Sequence, residues 1–233
     1  MKKKILIVIF LGIVLGWAGF GLYGRGVIKK SVIKNDGEYV VLLHGLGRTS
    51  FSMQKIGVQL VGEGYKVVNI GYPSRSDIIE NLVDNNLKNE ILEKCTDKDR
   101  KINFVTHSMG GIMARYLLAN NYIENINKVV MLAPPNKGSK VADKWSGNKM
   151  VNYVIGPSLK ELTTNKNSFV NNIKSLDCKI GIIAGEYDGK VSIENAKLDE
   201  MSDFVTFPKI HTWIMNSNEV IKAVINFLAK GEF

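Results

Sequence analysis

Short, uniformly apolar runs alternate with longer amphipathic stretches from residue 38 to the end of the chain. The first run, YVVLL at Tyr39–Leu43, is β-branched and continuous, which is typical of a strand buried on both faces. Apolar strands separated by helices predict a mostly parallel sheet with helices on both faces. The predicted strands are Tyr39–Leu43, Lys66–Ile70, Lys101–Thr106, Lys128–Leu132, Lys179–Ala184 and Asp203–Phe207, and the predicted helices are Phe51–Gly62, Asp77–Lys94, Met109–Asn121 and Ser217–Lys230.

An irregular stretch at about 134–177 separates the fourth and fifth predicted strands. A compact domain rarely carries so long an irregular segment without a functional reason, so we expect a lid or cap there. Its apolar residues Trp145, Met150, Tyr153 and Ile155 are candidates for substrate binding. The alternative is that they form a small core of the insert itself.

The N-terminal segment has the length and composition of a membrane span. Residues 5–23 carry no charge and follow three consecutive lysines. As a helix they would extend roughly 28 Å, close to the hydrocarbon thickness of a bilayer. We therefore expect residues 1–23 to form a transmembrane signal anchor, with a cleaved signal peptide as the alternative. Residues 24–37 are predicted as a linker, and 38–233 as one domain that is exported and membrane-anchored, or secreted if the segment is cleaved.

The positive charge of the chain is concentrated at its N-terminus. The net charge is +9, but residues 1–34 hold seven of the 31 Lys and Arg residues and no acid. The remaining 24 basic residues face 22 acidic ones, a net charge of only +2. A nucleic-acid-binding surface is therefore not indicated.

Cysteine and histidine are too scarce for the usual metal or disulfide frameworks. Two cysteines, Cys95 and Cys178, cannot build a cysteine-based zinc site, and three histidines leave little room for a histidine-rich one. No phosphate-binding glycine motif follows a predicted strand. We expect no metal and no cofactor. The two cysteines are predicted on a helix end and a strand start, and we expect them to be unpaired because a bridge needs Cα atoms within about 7 Å.

A serine lies at a predicted strand-to-helix junction, in the sequence Thr-His-Ser-Met-Gly-Gly at 106–111. This is the context of a nucleophile elbow, where a tight turn lifts the serine hydroxyl above the sheet. Ser108 is therefore the candidate nucleophile. Thr106 stands where the usual motif has its first glycine. The alternative is a serine that caps a helix beside a glycine.

A second loop, His-Gly-Leu-Gly at 44–47, directly follows the first predicted strand. Alone, such a histidine–glycine pair is often just a turn. Together with the elbow it predicts an oxyanion hole formed by the backbone N–H groups of Leu46 and Met109. One such donor typically stabilises a transition state by about 3–4 kcal/mol.

Five segments of the chain together resemble one family. From Tyr39 to the C-terminus the sequence is similar to small bacterial lipases and esterases of the α/β-hydrolase superfamily. The resemblance implies the α/β-hydrolase fold and a catalytic triad in the chain order serine, acid, histidine. The segments are HGLG at 44–47, THSMGG at 106–111, LAPPNKGS at 132–139, GPSLKELTTN at 156–165 and GEYDGKVS at 185–192.

That chain order assigns the acid and the base. Asp188 follows a predicted strand in a segment that resembles the family's acid turn, and it is the predicted acid. His211 is the predicted base, because the other two histidines lie in the oxyanion loop and inside the elbow. The alternative for His211 is a solvated loop histidine. The alternatives for the acid are Glu186, Asp177 and Asp203.

These residues predict a serine hydrolase that cleaves carboxylic esters, of lipids or other acyl compounds, through an acyl-enzyme. Acyl transfer and thioester hydrolysis use the same triad and remain alternatives. A non-catalytic hydrolase-like binding protein is a third possibility, and peptide cleavage a fourth. The expected partners are an ester substrate and, through the N-terminal segment, a membrane.

Overall fold

One six-stranded sheet forms the centre of the protein. The computed structural model describes residues 19–233, and all structural statements concern these residues. Every neighbouring pair of strands is parallel, in the order β2-β1-β3-β4-β5-β6. The predicted parallel sheet is confirmed. The strands are β1 Tyr39–Leu43, β2 Lys66–Ile70, β3 Ile102–His107, β4 Ile126–Leu132, β5 Lys179–Gly185 and β6 Asp203–Phe207.

Helices cover both faces of the sheet, as predicted. The expected helix from Asp77 to Lys94 is divided by a π-helical turn at Val83–Leu87, and α2 is preceded by a 3-10 turn at Ser50–Met53. The helices are α1, described over 19–34, α2 Gln54–Gly62, α3 Ile79–Leu82, α4 Lys88–Lys94, α5 Met109–Ala119, α6 Lys140–Trp145, α7 Lys149–Ile155, α8 Ile193–Ala196 and α9 Asn218–Lys230.

Two apolar clusters lie on opposite faces of the sheet. In β1, Val41 and Leu43 point into the cluster that includes α3, α4 and α5. Val40 and Leu42 point into the other cluster, which includes α2 and α9. Side chains alternate between the faces of a strand, so a strand covered on both sides is apolar at every position. This double burial explains the continuous apolar runs.

The predicted linker, 24–37, differs from a free tether because it is helical up to residue 34. Buried residues recur along α1 at helical spacing, including Ile28 and Ser31. The side chain of Gln54 donates hydrogen bonds to the backbone carbonyls of Phe20 and Gly21 in this helix. Ser31 Oγ accepts the Val67 N–H at 3.0 Å, on edge strand β2. The helix thereby covers a strand edge that would otherwise expose unpaired backbone groups.

Because α1 packs against the domain, replacing its buried isoleucine should destabilise the protein more than replacing its exposed one. Ile28 is 7% exposed and Ile33 is 83% exposed. Ile28→Ala removes a buried side chain, typically at a cost of about 2–5 kcal/mol, and should lower the melting temperature by roughly 5 °C or more. Ile33→Ala is the matched control and should leave it unchanged. Equal melting temperatures for both variants would contradict docking of α1.

The transmembrane prediction falls mainly outside the described residues. Most of the segment 5–23 precedes residue 19, where the described part begins. Within residues 19–233, no helix combines the length and apolar character needed to cross a membrane. The anchor stays a prediction.

The insert between β4 and β5 is partly helical. It contains α6, α7 and two 3-10 turns, at Pro157–Leu162 and Phe169–Asn171. Its base is tied to α5 by the buried Arg115, whose Nη1 donates to the carbonyl oxygens of Asn136 at 3.2 Å and Val170 at 3.3 Å. Burial lowers the pKa of Arg115 to about 10. The insert is therefore attached through a buried, charge-assisted contact.

A second attachment joins the insert to the start of α3. Glu161 Oε2 accepts the Ile79 N–H at 2.6 Å. Burial raises the pKa of Glu161 to about 7, and the nearby charges of Glu80 and Asp77 also raise it. Since this folded-state pKa exceeds the ordinary value of 4.5, ionisation of Glu161 opposes folding. The cost of this ionisation to folding stability is absent below about pH 4.5, grows between about pH 4.5 and 7, and is constant above about pH 7.

Glu161→Gln should therefore raise the melting temperature by a few degrees at pH 8, and should change it little at pH 4. Glutamine keeps an oxygen that can accept the Ile79 N–H and removes the buried charge. Thermal unfolding measured across this pH range checks the prediction. Glu93→Gln changes an exposed glutamate in α4 and should have no effect at either pH. A lower melting temperature for Glu161→Gln at pH 8 would contradict the proposed penalty.

Both cysteines are free thiols. Cys95 caps the end of α4, and Cys178 precedes β5. Burial raises the pKa of Cys95 to about 12 and that of Cys178 to about 11. Neither thiol has the depressed pKa of a reactive cysteine.

Candidate active site

Ser108 occupies a strained turn between β3 and α5, as the elbow motif predicts. Its backbone has φ 53° and ψ −125°, a conformation that residues other than glycine seldom adopt. Gly110 allows α5 to approach β1, since a Cβ there would lie 2.6 Å from the carbonyl oxygen of Leu43. The turn thus requires glycine at 110 and holds the serine at the carboxyl end of the sheet.

Thr106 is accommodated because the residue facing it is a glycine. Thr106 is fully buried at the end of β3. A Cβ added to Gly111 would lie 3.2 Å from Thr106 Oγ1 and 3.2 Å from Pro134 Cβ. The glycine at 111 therefore provides the space that threonine occupies at 106.

Ser108, His211 and Asp188 form a continuous chain of hydrogen bonds. His211 Nε2 lies 3.0 Å from Ser108 Oγ, and His211 Nδ1 lies 2.7 Å from Asp188 Oδ2. The residues follow β3, β6 and β5 respectively, and parallel strands bring their carboxyl ends together. The structure thus brings together all three residues that the sequence predicted as a triad.

The carboxylate of Asp188 is fixed from two sides. Its side chain is 1% exposed. Oδ1 accepts the backbone N–H groups of Lys190 at 2.8 Å and Val191 at 2.9 Å, which leaves Oδ2 for His211. Because a carboxylate only accepts, Nδ1 of His211 carries a proton and Nε2 is free to accept the serine hydroxyl.

The alternative acids do not reach His211. Glu186 is exposed and accepts a hydrogen bond from Thr206 Oγ1 at 3.0 Å. Asp177 precedes β5, and Asp203 begins β6, so both lie at the opposite end of the sheet. The geometry therefore favours Asp188.

His107 holds the backbone of His211. Its Nε2 lies 3.0 Å from the His211 carbonyl oxygen, to which it donates. Burial lowers the pKa of His107 well below its ordinary value, and the positive charges of Arg48 and Lys190 also lower it. His107 is thus a neutral positioning residue, a role that the sequence did not reveal.

His44 is also committed to structural contacts. Its Nδ1 lies 2.9 Å from the Gly45 carbonyl oxygen, and its Nε2 accepts the Tyr72 N–H at 3.3 Å. The rings of His44 and Tyr72 stack with centroids 4.0 Å apart, and burial lowers the pKa of His44. Neither His44 nor His107 contacts Ser108 as His211 does, which agrees with the choice of base by elimination.

The predicted oxyanion loop lies directly against the nucleophile. A Cβ added to Gly45 would lie 3.1 Å from Ser108 Cβ. Gly47 has φ 70°, and its N–H donates to Ser74 Oγ at 3.0 Å, a contact that the sequence did not indicate. Among the described residues, the Leu46 N–H has no hydrogen-bond partner. Met109 begins α5, so its N–H also lacks a partner within that helix.

A cavity of about 560 Å³ opens over Ser108 and His211. Trp145, Met150 and Ile155, three of the candidates for substrate binding, lie on its wall. Tyr153 is 92% exposed and does not line the cavity, because it lies on the outer side of α7. Leu46 of the predicted oxyanion loop also lines the cavity. Further apolar lining residues, which the sequence did not single out, are Val141, Ala142, Val151, Val154, Leu159, Leu162 and Val191.

The described residues contain no cluster of three His, Cys, Asp or Glu side chains that could hold a metal ion. The cavity wall instead combines apolar side chains with a hydrogen-bonded serine and histidine. Such a site can bind an apolar acyl chain and present a nucleophile to its carbonyl carbon.

Known structures share this architecture. A lipase of Bacillus licheniformis in its mature form aligns with a TM-score of 0.65 and 19% identity, covering 82% of this chain and 92% of that one. An esterase of Pyrococcus furiosus aligns with a TM-score of 0.60 and 18% identity, covering 84% of this chain and 82% of that one. At these identities the likeness concerns the fold alone, and the fold is the α/β-hydrolase fold.

Sequence comparison finds a relative and a family. Triacylglycerol lipase 2 of Saccharomyces cerevisiae is 30% identical over 118 residues, which are 47% of this chain and 34% of the yeast protein. The match thus spans about a third of the yeast protein's length. The PGAP1-like alpha/beta domain model matches residues 76–225, a range that contains Ser108, Asp188 and His211. Since that range is more than half of the sequence, this chain belongs to the family of the PGAP1-like α/β domain.

Proposed function

We propose that the protein is a serine hydrolase that cleaves carboxylic esters, of lipids or other small acyl compounds. The observation that carries this proposal is the chain of hydrogen bonds Ser108–His211–Asp188 at the wall of a largely apolar cavity. The lipase and esterase names of the relative and of the structural neighbours agree with it.

The proposed reaction proceeds through an acyl-enzyme. Ser108 Oγ attacks the ester carbonyl carbon while His211 Nε2 accepts the hydroxyl proton. The N–H groups of Leu46 and Met109 then stabilise the negative oxygen of the tetrahedral intermediate. When that intermediate collapses, the carbon–oxygen ester bond breaks and His211 protonates the departing alcohol. Water, activated by the same histidine, releases the acid and regenerates Ser108.

The insert is proposed as a lid over this site. No residue of α7 is buried, yet Met150 and Ile155 of this helix form part of the cavity wall. The second half of the insert is held by Arg115 and Glu161, so opening would be confined to α6 and α7. Hydrogen exchange tests this, because α7 amides should exchange faster than sheet amides and slow down when an acyl analogue fills the cavity. Equal protection of α7 and the sheet would exclude a lid.

A membrane location is proposed from the sequence of residues 5–23, which is charge-free and long enough to span a bilayer. The catalytic domain would then be exported and held at the membrane. Fractionation of cells that express the whole chain tests this proposal. Recovery in a soluble fraction with the original N-terminus would overturn it.

The activity itself is tested with a fluorophosphonate probe and a series of p-nitrophenyl esters from acetate to palmitate. We expect covalent labelling of Ser108 and hydrolysis of part of the series. The free acid separates hydrolysis from acyl transfer, because a hydrolase releases acid and p-nitrophenol in equal amounts with water as the acceptor, whereas a transferase needs an added acyl acceptor for turnover. No labelling together with no hydrolysis across the series would refute the proposed function.

A further inference from the structure

The predicted oxyanion loop, residues 44–47, is held by a second loop, residues 72–74. This second loop follows β2, the strand beside β1, so the two loops meet at the carboxyl end of the sheet. Tyr72 is 6% exposed and Ser74 is 3% exposed. Pro73 restricts the backbone between them, and the Ser74 N–H donates to the Tyr72 carbonyl oxygen at 2.9 Å. A buried and stiff segment therefore lies against the backbone that the proposed mechanism uses.

Three successive peptide groups of the oxyanion loop each have a partner. The His44 carbonyl oxygen accepts a hydrogen bond from the Tyr72 hydroxyl. The Gly45 carbonyl oxygen, in the next peptide group, lies 2.9 Å from His44 Nδ1. In the third group, the Gly47 N–H donates to Ser74 Oγ at 3.0 Å. Rotation of any of these groups would break a hydrogen bond, so the loop is fixed in one orientation.

The tautomer of His44 follows from its contact with Tyr72. A backbone N–H can only donate, and the Tyr72 N–H faces His44 Nε2 at 3.3 Å, so Nε2 accepts and carries no proton. Burial lowers the pKa of His44, so the ring is neutral and its one proton lies on Nδ1. Nδ1 therefore donates to the Gly45 carbonyl oxygen. The Tyr72 ring lies 4.0 Å from the imidazole, with the two planes 11° apart, and keeps it in this orientation.

The contact with Gly45 decides where the predicted oxyanion donor points. The Gly45 carbonyl and the Leu46 N–H belong to the same peptide group, which is trans like every peptide bond of the described residues. In a trans peptide group the C=O and the N–H point in opposite directions. Holding the Gly45 oxygen against His44 thus turns the Leu46 N–H away from His44. Leu46 lines the cavity together with Ser108, which is where an oxyanion donor is needed.

We infer that Tyr72 and His44 are positioning residues of the proposed reaction, which together aim the Leu46 N–H at the oxyanion. The Tyr72 hydroxyl fixes the first peptide group of the loop. Its N–H fixes the proton of His44 that holds the second. Burial raises the pKa of Tyr72, so the hydroxyl keeps the proton that it donates. Neither side chain lines the cavity, so both act through the backbone of the loop.

This inference rests on the proposed ester hydrolysis and adds two residues to it. An N–H aimed at the oxyanion stabilises the transition state more than the substrate, so its displacement lowers kcat and leaves KM nearly unchanged. It also favours oxygen over sulfur at the reacting carbonyl, because sulfur is a larger atom and a weaker hydrogen-bond acceptor. A displaced N–H should therefore slow hydrolysis of an ester more than hydrolysis of its thionoester, in which sulfur replaces the carbonyl oxygen.

Tyr72→Phe tests the inference, because phenylalanine keeps the ring and the backbone N–H and removes only the hydroxyl. Steady-state kinetics would be measured with the whole protein on p-nitrophenyl butyrate and on p-nitrophenyl thionobutyrate. For the ester we expect kcat to fall by about tenfold to hundredfold at unchanged KM, less than the loss of a whole oxyanion donor. The ratio of kcat/KM, ester over thionoester, should fall by about fivefold or more. A smaller amount of folded protein lowers both rates equally and cancels in this ratio.

Tyr39→Phe is the matched control. Tyr39 is 2% exposed at the start of β1, and its hydroxyl accepts the Asp97 N–H at 3.3 Å, away from the cavity. This variant also loses a buried hydroxyl, yet it should keep both kcat and the ratio of the unmodified protein.

Two variants of His44 give a second test that does not depend on the folding of Tyr72→Phe. Asparagine has an NH₂ group close to the position of Nδ1 and can still donate to the Gly45 oxygen, whereas leucine has no donor. The ester-to-thionoester ratio should therefore fall further in His44→Leu than in His44→Asn.

A lower ratio in Tyr72→Phe with a normal ratio in Tyr39→Phe, and a lower ratio in His44→Leu than in His44→Asn, would support the inference. Equal losses on the ester and the thionoester in Tyr72→Phe would indicate a merely structural role and overturn it. Equal ratios in the two His44 variants would overturn it as well, while ester hydrolysis by the unmodified protein would stand. No hydrolysis of p-nitrophenyl butyrate by the unmodified protein would instead reject the proposed function, and this inference with it.

Discussion

Replacement of Ser108 by alanine is expected to abolish ester hydrolysis and fluorophosphonate labelling, with a loss of about 10⁴–10⁶ in kcat. The Oγ atom that lies 3.0 Å from His211 Nε2 is the atom that would form the acyl bond, and alanine has no replacement for it. The residual rate would come from the oxyanion donors and from substrate binding alone.

The fold should survive this change. Alanine at 108 meets the same backbone strain at φ 53° as serine does, so the melting temperature should stay close to that of the unmodified protein. Ser158→Ala is the matched control, because Ser158 is fully buried, its Oγ has no hydrogen-bond partner, and it does not line the cavity. That variant should keep labelling and activity. Continued labelling of Ser108→Ala at another serine would assign the nucleophile elsewhere.

Asp188→Asn should lower kcat by about ten-thousandfold while the fold is retained. The oxygen at this position accepts the N–H groups of Lys190 and Val191, and the asparagine oxygen would stay there. The asparagine NH₂ group would then face His211 Nδ1 and donate to it. His211 would carry its proton on Nε2, and that nitrogen could no longer accept the proton of Ser108.

The matched control for this prediction is Glu186→Gln. Glu186 is exposed and contacts Thr206, so its variant should hydrolyse p-nitrophenyl butyrate at nearly the unmodified rate. Steady-state kinetics on both variants decides between the two carboxylates. Near-normal turnover of Asp188→Asn together with a large loss in Glu186→Gln would show that the acid is Glu186.

The sequence by itself determined the sheet and the order of the candidate triad. A strand such as Tyr39–Leu43 is recognisable because both its faces are buried, which makes every position apolar. The turn at Ser108 is recognisable because it needs small residues close by in the chain. Asp188 and His211 follow from the chain order of the family that these segments resemble. All these features depend on residues that are close together in the sequence, or on the order in which the family's catalytic residues occur along the chain.

Only the tertiary structure decided which distant residues meet. The docking of Ile28 in α1, the contact of His107 with the His211 carbonyl and the outward position of Tyr153 depend on packing between elements far apart in the chain. Periodicity reports that a side chain is buried or exposed, but it does not report what the side chain contacts. Those contacts are set by the sheet order and by the path of the insert, which is why the candidate triad could be predicted from the sequence and most of the cavity wall could not.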